Sequence, residues 1–151
     1  MSIENELDEL YQELILDHYR RPRNTDLLPD AQHHAEGFNP FCGDQVNLQI
    51  MVDAGGTIEA VGHQGKGCSI SQASASMLSE AIAGQSLEEI DSTGELFRNM
   101  MAGPPLSGGS LERLEGLTAL SDVRKVPVRI KCALLAWSAL EEAIEDYRKR
   151  H

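Results

Sequence analysis

From Val46 to Val52 the apolar residues Val46, Leu48, Ile50 and Val52 fall at every second position, separated by Asn47, Gln49 and Met51. A period of two is the signature of a half-buried β-strand. Asp53-Ala-Gly-Gly56 then supplies a turn, and Thr57 to Gln64 is expected to return as the antiparallel partner. No helix can place those four side chains on one face, so this hairpin constrains everything that packs around it.

The rest of the chain reads as loop or helix. Ile3, Leu7, Leu10, Leu14 and His18 recur at helical spacing, which predicts an amphipathic helix over 3–19 that Pro22 ends. Residues 24–41 hold Pro29, Gly37 and Pro40 and read as loop, with a short strand around Gln32 to Glu36. Ser69-Ile-Ser-Gln72 fits a capping box opening a helix to Ala83, and Ser86-Leu-Glu-Glu89 fits a second. Gly103 to Gly109 reads as loop, with a short helical stretch near Leu111 to Leu117. Pro127 suits the first turn of a long last helix whose stripe of Ile130, Leu134, Trp137 and Ile144 would face the core. With 151 residues, no internal repeat and no second domain in view, residues 1–151 are expected to form a single domain.

The formal net charge of -11 argues against nucleic acid and anionic membranes as partners, since phosphates require Lys and Arg. No uninterrupted apolar run approaches the roughly 20 residues of a membrane span. The acidic start of the chain has no apolar signal core, and three cysteines are an odd number. Free thiols or metal ligands in a cytoplasmic protein are therefore expected.

Cys42-Gly-Asp44 places a thiol and a carboxylate two residues apart, just before the first strand, with Gly43 free to bend. Cys68 follows the second strand and borders a helix N-terminus, where the dipole favours a thiolate. Cys132 lies in the first turns of the last helix, off the large apolar stripe and on the side of Ala136, Ala139 and Ala143. Spacing alone leaves two readings. Each Cys can be a small buried hydrophobe and Asp44 a turn residue, or the four can be a tetrahedral zinc set. No C-x-x-C pair and no H-E-x-x-H motif is present.

Most of the 13 basic residues fall in three clusters, one of which (Arg124, Lys125, Arg129 and Lys131) surrounds the start of the last helix, where cations oppose the dipole. Zinc with three thiolates and a carboxylate carries a formal charge of about −2, which Arg129 and Lys131 could offset. The same pair could instead dock an acidic partner, or form a solvated patch. Gly65-Lys-Gly-Cys68 follows a hairpin and lacks the third glycine of a dinucleotide loop. The serines at 69, 71, 74 and 76 read as caps and small-residue packing, and His63 as a strand surface residue.

At these residues the chain resembles the U-type assembly proteins of iron–sulfur cluster biogenesis, the IscU/SufU/NifU N-terminal family. Asn39-Pro-Phe-Cys-Gly-Asp44, Gly65-Lys-Gly-Cys-Ser-Ile-Ser-Gln-Ala-Ser74 and Val128-Arg-Ile-Lys-Cys-Ala133 look like its three signatures, and Leu10 to Asn24 is similar as well. The family's scaffolds carry His directly before the last Cys; Lys131 stands there instead, and the stretch from Gly103 to Arg124 is longer. Both departures resemble the SufU branch. The resemblance implies an α+β fold, a small three-stranded antiparallel sheet packed against helices with a long C-terminal helix. It implies zinc held by Cys42, Asp44, Cys68 and Cys132, with iron or a transient iron–sulfur cluster as the alternative occupant. It further implies a sulfurtransferase-like role in which Cys42, displaced from zinc by a partner side chain, accepts persulfide sulfur from a SufS-type PLP-dependent cysteine desulfurase. Downstream cluster-assembly proteins would follow; Arg129 is similar to a basic residue that the family uses at the desulfurase interface, and Lys131 is expected to meet the partner beside it. A cluster scaffold and a purely structural zinc module are the competing readings.

Overall fold

Alternation along one strand decides which side of the sheet becomes the core. The computed structural model describes residues 3–29, 31, 33–40, 43–103, 109 and 114–150. Its central strand, β2 (Asp44–Val52), lies between β1 (His33–Asn39) and β3 (Ile58–Lys66), both antiparallel to it. Asp44, Val46, Leu48, Ile50 and Val52 are all buried, whereas the residues between them are only partly so. The turn is held by Asp53, whose Oδ1 accepts from the N–H groups of Gly55 (2.9 Å) and Thr57 (3.0 Å). Gly56 takes the positive φ of 81° that closes it.

Helices cover the buried face. The chain adds α1 (Ile3–Arg20), α2 (Ser69–Ile82), α3 (Leu87–Ala102), a 3₁₀ segment (Glu115–Lys125) and α4 (Pro127–Arg150). α4 packs on β1 and β2, and α2 packs on β3, α1 and α4. The expected α+β class, three-stranded antiparallel sheet and long C-terminal helix are what the structure shows. Trp137 of α4 is buried and stacks on Phe97 of α3, with ring centroids 5.3 Å apart. Leu48, Ile50, Leu78, Ile82 and Leu140 complete the centre of the core.

The middle of α2 is buried all round, from Ala73 to Ser79. Small side chains let neighbouring elements approach, but each buried hydroxyl must then find a partner. Ser74 Oγ donates to the Ala133 carbonyl of α4 at 2.6 Å. Ser76 Oγ accepts the Arg23 N–H at 2.9 Å and lies 2.7 Å from His18 Nδ1 of α1. Ser79 Oγ lies 2.7 Å from the Ser76 carbonyl and receives the Asn24 amide at 2.9 Å.

Several local expectations are corrected. β1 extends through Gly37 and Phe38 to Asn39, because pairing along its whole length with β2 outweighs the local glycine. α2 is not opened by a Ser69 capping box: Cys68 is the N-cap, and no side chain caps it. The Ser86–Glu89 capping box does form. The 3₁₀ segment runs to Lys125, well past the expected short helix near Leu111 to Leu117, whose first residues lie outside the described ones, as does Gln32. On α4 the expected stripe faces the core, with Trp137 and Ile144 buried and Ile130 and Leu134 partly so, but the small-residue side with Cys132, Ala136, Ala139 and Ala143 is fully buried as well. His63 is not a surface residue: it is buried, and its Nε2–H donates to the Arg23 carbonyl at 2.7 Å.

Burial holds the imidazoles of both His63 and His18 below the usual histidine range; the Arg23 carbonyl only partly restores His63, and nearby Arg23 adds to the effect at His18. The unfolded chain therefore binds protons that the folded one refuses. Stability is full above about pH 6.5 and declines as pH falls below it, each tenfold change in proton affinity being worth about 1.4 kcal/mol. His63→Gln keeps a donor for the Arg23 carbonyl and removes one of these titrations. Urea midpoints measured from pH 7.5 to 5.5 should fall less steeply in this variant than in the parent chain; equal slopes would reject the assignment.

Candidate metal centre

Strand parity carries a carboxylate into the core. Asp44 precedes Val46 by two residues, so it shares the face of Leu48 and Ile50 and is 0% exposed. An ionised carboxylate there costs several kcal/mol unless its oxygens are satisfied. Asp44 Oδ1 accepts the backbone N–H of Cys68 at 2.8 Å, and Oδ2 lies 3.8 Å from Cys68 Sγ. Burial pushes the Asp44 carboxyl up, but hydrogen bonds from the Cys132 thiol, the Cys68 N–H and thiol, and Ser71 outweigh it and hold it below the usual carboxylate range.

That contact needs the end of β3 to lie hard against the start of β2. A Cβ on Gly67, whose φ is +139°, would collide with Asp44, and one on Gly65 with the Gln45 carbonyl. The Gly65-Lys-Gly67 run thus serves close backbone approach. Cys68 caps α2 in extended conformation (φ −71°, ψ 164°), half-buried, while Ser71 Oγ donates to its carbonyl at 3.1 Å. Cys132 arrives from the second turn of α4 and is 0% exposed.

One ligand atom each from Asp44, Cys68 and Cys132 lies within 4.8 Å of the others. Zinc bonds of about 2.3 Å to sulfur and about 2.0–2.2 Å to oxygen put tetrahedral ligand atoms roughly 3.5–3.8 Å apart. The Cys68–Asp44 separation of 3.8 Å already matches. Two thiols and a carboxylate are donor types that zinc accepts, so the residues present fit this ion, with one position left for a further ligand. Cys42, the fourth residue expected at the site, lies outside the described residues; Gly43 beside it has a φ of +67°.

Sequence reasoning missed Asn39. It ends β1, pairs in register with Asp44 and is 5% exposed. Its Nδ2 lies 3.5 Å from Asp44 Oδ2 and 3.6 Å from Cys132 Sγ, so one amide faces two ligands. Its signal was positional: residues directly opposite on antiparallel strands point to the same side. The basic cluster divides. Arg124 donates to the Gly103 carbonyl at 2.8 Å and Lys125 pairs with Asp122 at 3.2 Å, both local uses. Arg129 is half-buried and Lys131 exposed, in the opening turns of α4 on either side of Ile130.

Residues 10–151 match the family described as NifU-like N terminal domain. The chain is 42% identical over 144 residues to the zinc-dependent sulfurtransferase SufU of Bacillus subtilis, covering 95% of each chain. It is 38% identical over 136 residues to the iron–sulfur cluster assembly scaffold protein IscU of Thermotoga maritima, covering 90% and 93%. A crystal structure from Fervidobacterium islandicum, designated FiSufU and assigned as a cluster assembly scaffold for the SUF system, superposes with a TM-score of 0.81. Identity to it is 34%, over 89% of this chain and 96% of that one. A NifU-like protein from Brucella abortus shares the fold at a TM-score of 0.83 and 21% identity, over 95% and 98% of the two chains. The match over residues 10–151, with relatives this similar along nearly their whole length, means that the chain belongs to the NifU-like N-terminal domain family, the IscU and SufU proteins of iron–sulfur cluster assembly.

Proposed function

We propose that this protein is a zinc-dependent sulfur carrier in iron–sulfur cluster assembly, accepting sulfane sulfur from a SufS-type cysteine desulfurase onto Cys42 in the cytoplasm. The observation that carries the reading is the convergence of Asp44, Cys68 and Cys132, in a chain where Lys131 and not His precedes the last Cys. Residues 1–151 act as one domain, with Cys42 as the fourth ligand. Arg129 and Lys131 meet the desulfurase, and downstream assembly proteins receive the sulfur.

In the transfer the Cys42 thiolate attacks the terminal sulfur of the donor's cysteine persulfide. The new Cys42 S–S bond forms as the donor's S–S bond breaks, and the donor cysteine leaves as a thiolate, so no net oxidant is consumed. Bound zinc supplies positive charge that keeps thiols ionised at neutral pH. Cys68 is aided by the α2 N-terminus, and Asp44 is oriented through its Oδ1 contact to the Cys68 N–H. Cys132, fixed in a helix and fully buried, anchors the centre and takes no sulfur. The scaffold reading keeps one specific support, the similarity to proteins named IscU, and assigns the same residues to iron and sulfide.

Anaerobically purified protein should hold one zinc per chain, and verified chelation should lower its melting temperature clearly, since the ligands come from distant segments. Stoichiometric iron and acid-labile sulfide with little zinc would decide for the scaffold. After reaction with desulfurase and cysteine, mass spectrometry should find the added sulfur on Cys42. Cys42→Ser should abolish acceptance yet fold and keep part of its zinc, whereas sulfur on Cys132 with Cys42 unmodified would overturn the assignment. Asn39→Ala should weaken zinc binding by about 10–100-fold in chelator competition, as expected for an outer contact that orients ligands. Unchanged affinity would reduce Asn39 to a packing residue.

A further inference from the structure

β1 is an edge strand, and α4 runs antiparallel along it. Asn39 lies beside Cys132 at one end, and His33 Nδ1 lies 2.8 Å from Asp146 at the other. Between them is a groove of about 500 Å³. One wall is residues 36–40; the other is Lys131, Leu134, Leu135, Ser138, Ala139 and Glu142, which share one helical face. At Gly37 a side chain would press on Leu135, at 3.0 Å, so glycine keeps strand and helix close.

Two features select the occupant. Among the described residues, the backbone groups of residues 34–38 bond to nothing beyond their pairing with β2. Such an edge offers N–H and C=O groups at strand spacing, which an extended peptide can match and a helix cannot. The groove is also electrically polar. Lys131 stands at the end near Asn39 and Glu142 on the same helix wall at the other end, while Glu36 alternates to the opposite face of β1; Arg98, on the rim, is held by Glu141 at 2.9 Å. From 131 to 142 the helix rises about 16 Å, the length of about five extended residues.

We propose that this groove binds an extended segment of a partner protein by adding a strand to β1, with its sequence pattern set by the groove's charge. Antiparallel pairing runs the segment from the Lys131 end towards Glu142. Its first helix-facing side chain is therefore acidic, the second apolar over Leu134, Leu135 and Ala139, and the third basic: acid-x-apolar-x-base, read from the N-terminus. The acidic end of the bound segment sits beside Asn39, and so next to the metal centre. The inference goes beyond sulfur transfer and does not depend on it.

The test uses the full zinc-loaded chain and two synthetic peptides, acetyl-Gly-Asp-Thr-Val-Thr-Lys-Gly-amide and its charge-reversed form, acetyl-Gly-Lys-Thr-Val-Thr-Asp-Gly-amide. In amide NMR titrations the first should shift resonances of residues 36–39 saturably, and the reversed peptide should bind roughly tenfold more weakly, as expected when two charge contacts become repulsive. Ser138 is exposed on α4 and touches no metal ligand; Ser138→Trp fills the groove and should abolish binding while zinc content stays unchanged. Equal affinity for both peptides, no binding of either at millimolar concentration, or undiminished binding to Ser138→Trp would each overturn the proposal. Concentration-dependent shifts of residues 36–39 without peptide would also overturn it, assigning the edge to a second copy of this chain.

Discussion

The 2.8 Å bond from the Cys68 N–H to Asp44 Oδ1 joins the beginning of β2 to the beginning of α2, and the other features of the centre are arranged around it. It satisfies a carboxylate that strand parity has forced into the core, and it fixes the entry of a helix whose end no side chain caps. Gly67 makes it sterically possible. Asn39 is directed to the same carboxylate by cross-strand pairing, and Cys132 reaches it from α4. Three donor residues thus come together through backbone geometry that exists before any ion arrives. Such preorganisation lowers the ordering cost of binding a metal.

Apolar packing holds α4 in the core, and a buried polar contact adds to it at the centre. Ser74 of α2 bonds the Ala133 carbonyl, adjacent to Cys132, so the helix carrying Cys68 is tied to the helix carrying Cys132 at the centre itself. Farther along α2, Ser76 and Ser79 bind the chain around Arg23 and Asn24, which His63 of β3 grips from the other side. Larger apolar residues at these buried serines would overpack the contacts and lose the hydrogen bonds. The alanines of α4 allow the same close approach.

Features encoded locally were legible. The alternation of β2, the Asp53–Gly56 turn, the Ser86 capping box and the Pro127 helix start depend on neighbours in sequence, and all are present. The start of β1 was legible around residues 33–36, but its extension through Gly37 to Asn39 was hidden because it comes from pairing with β2, which the local glycine argues against. On α4 the expected stripe does face the core, with Trp137 and Ile144 buried and Ile130 and Leu134 packed against it, but its bulky side chains gave no sign that the small-residue side is buried as completely. His63 looked superficial because its partner, the Arg23 carbonyl, lies 40 residues away. At the centre, residue types announced Asp44, Cys68 and Cys132, but Asn39 could be placed only once the register was known.

Charge explains why this end of the molecule differs from the rest. The chain carries a formal net charge of -11, yet Arg129 and Lys131 stand in the opening turns of α4, where the helix dipole disfavours cations by about 0.3–1 kcal/mol each. Asp44, whose carboxyl is held below the usual carboxylate range, lies close to Cys132, the residue after Lys131, and supplies negative charge at this end of α4. These two cations, like the clusters at 20–23 and 148–150, interrupt an otherwise acidic chain. The cost of cations at this helix start is therefore offset by a neighbouring carboxylate and not by the net charge of the chain as a whole.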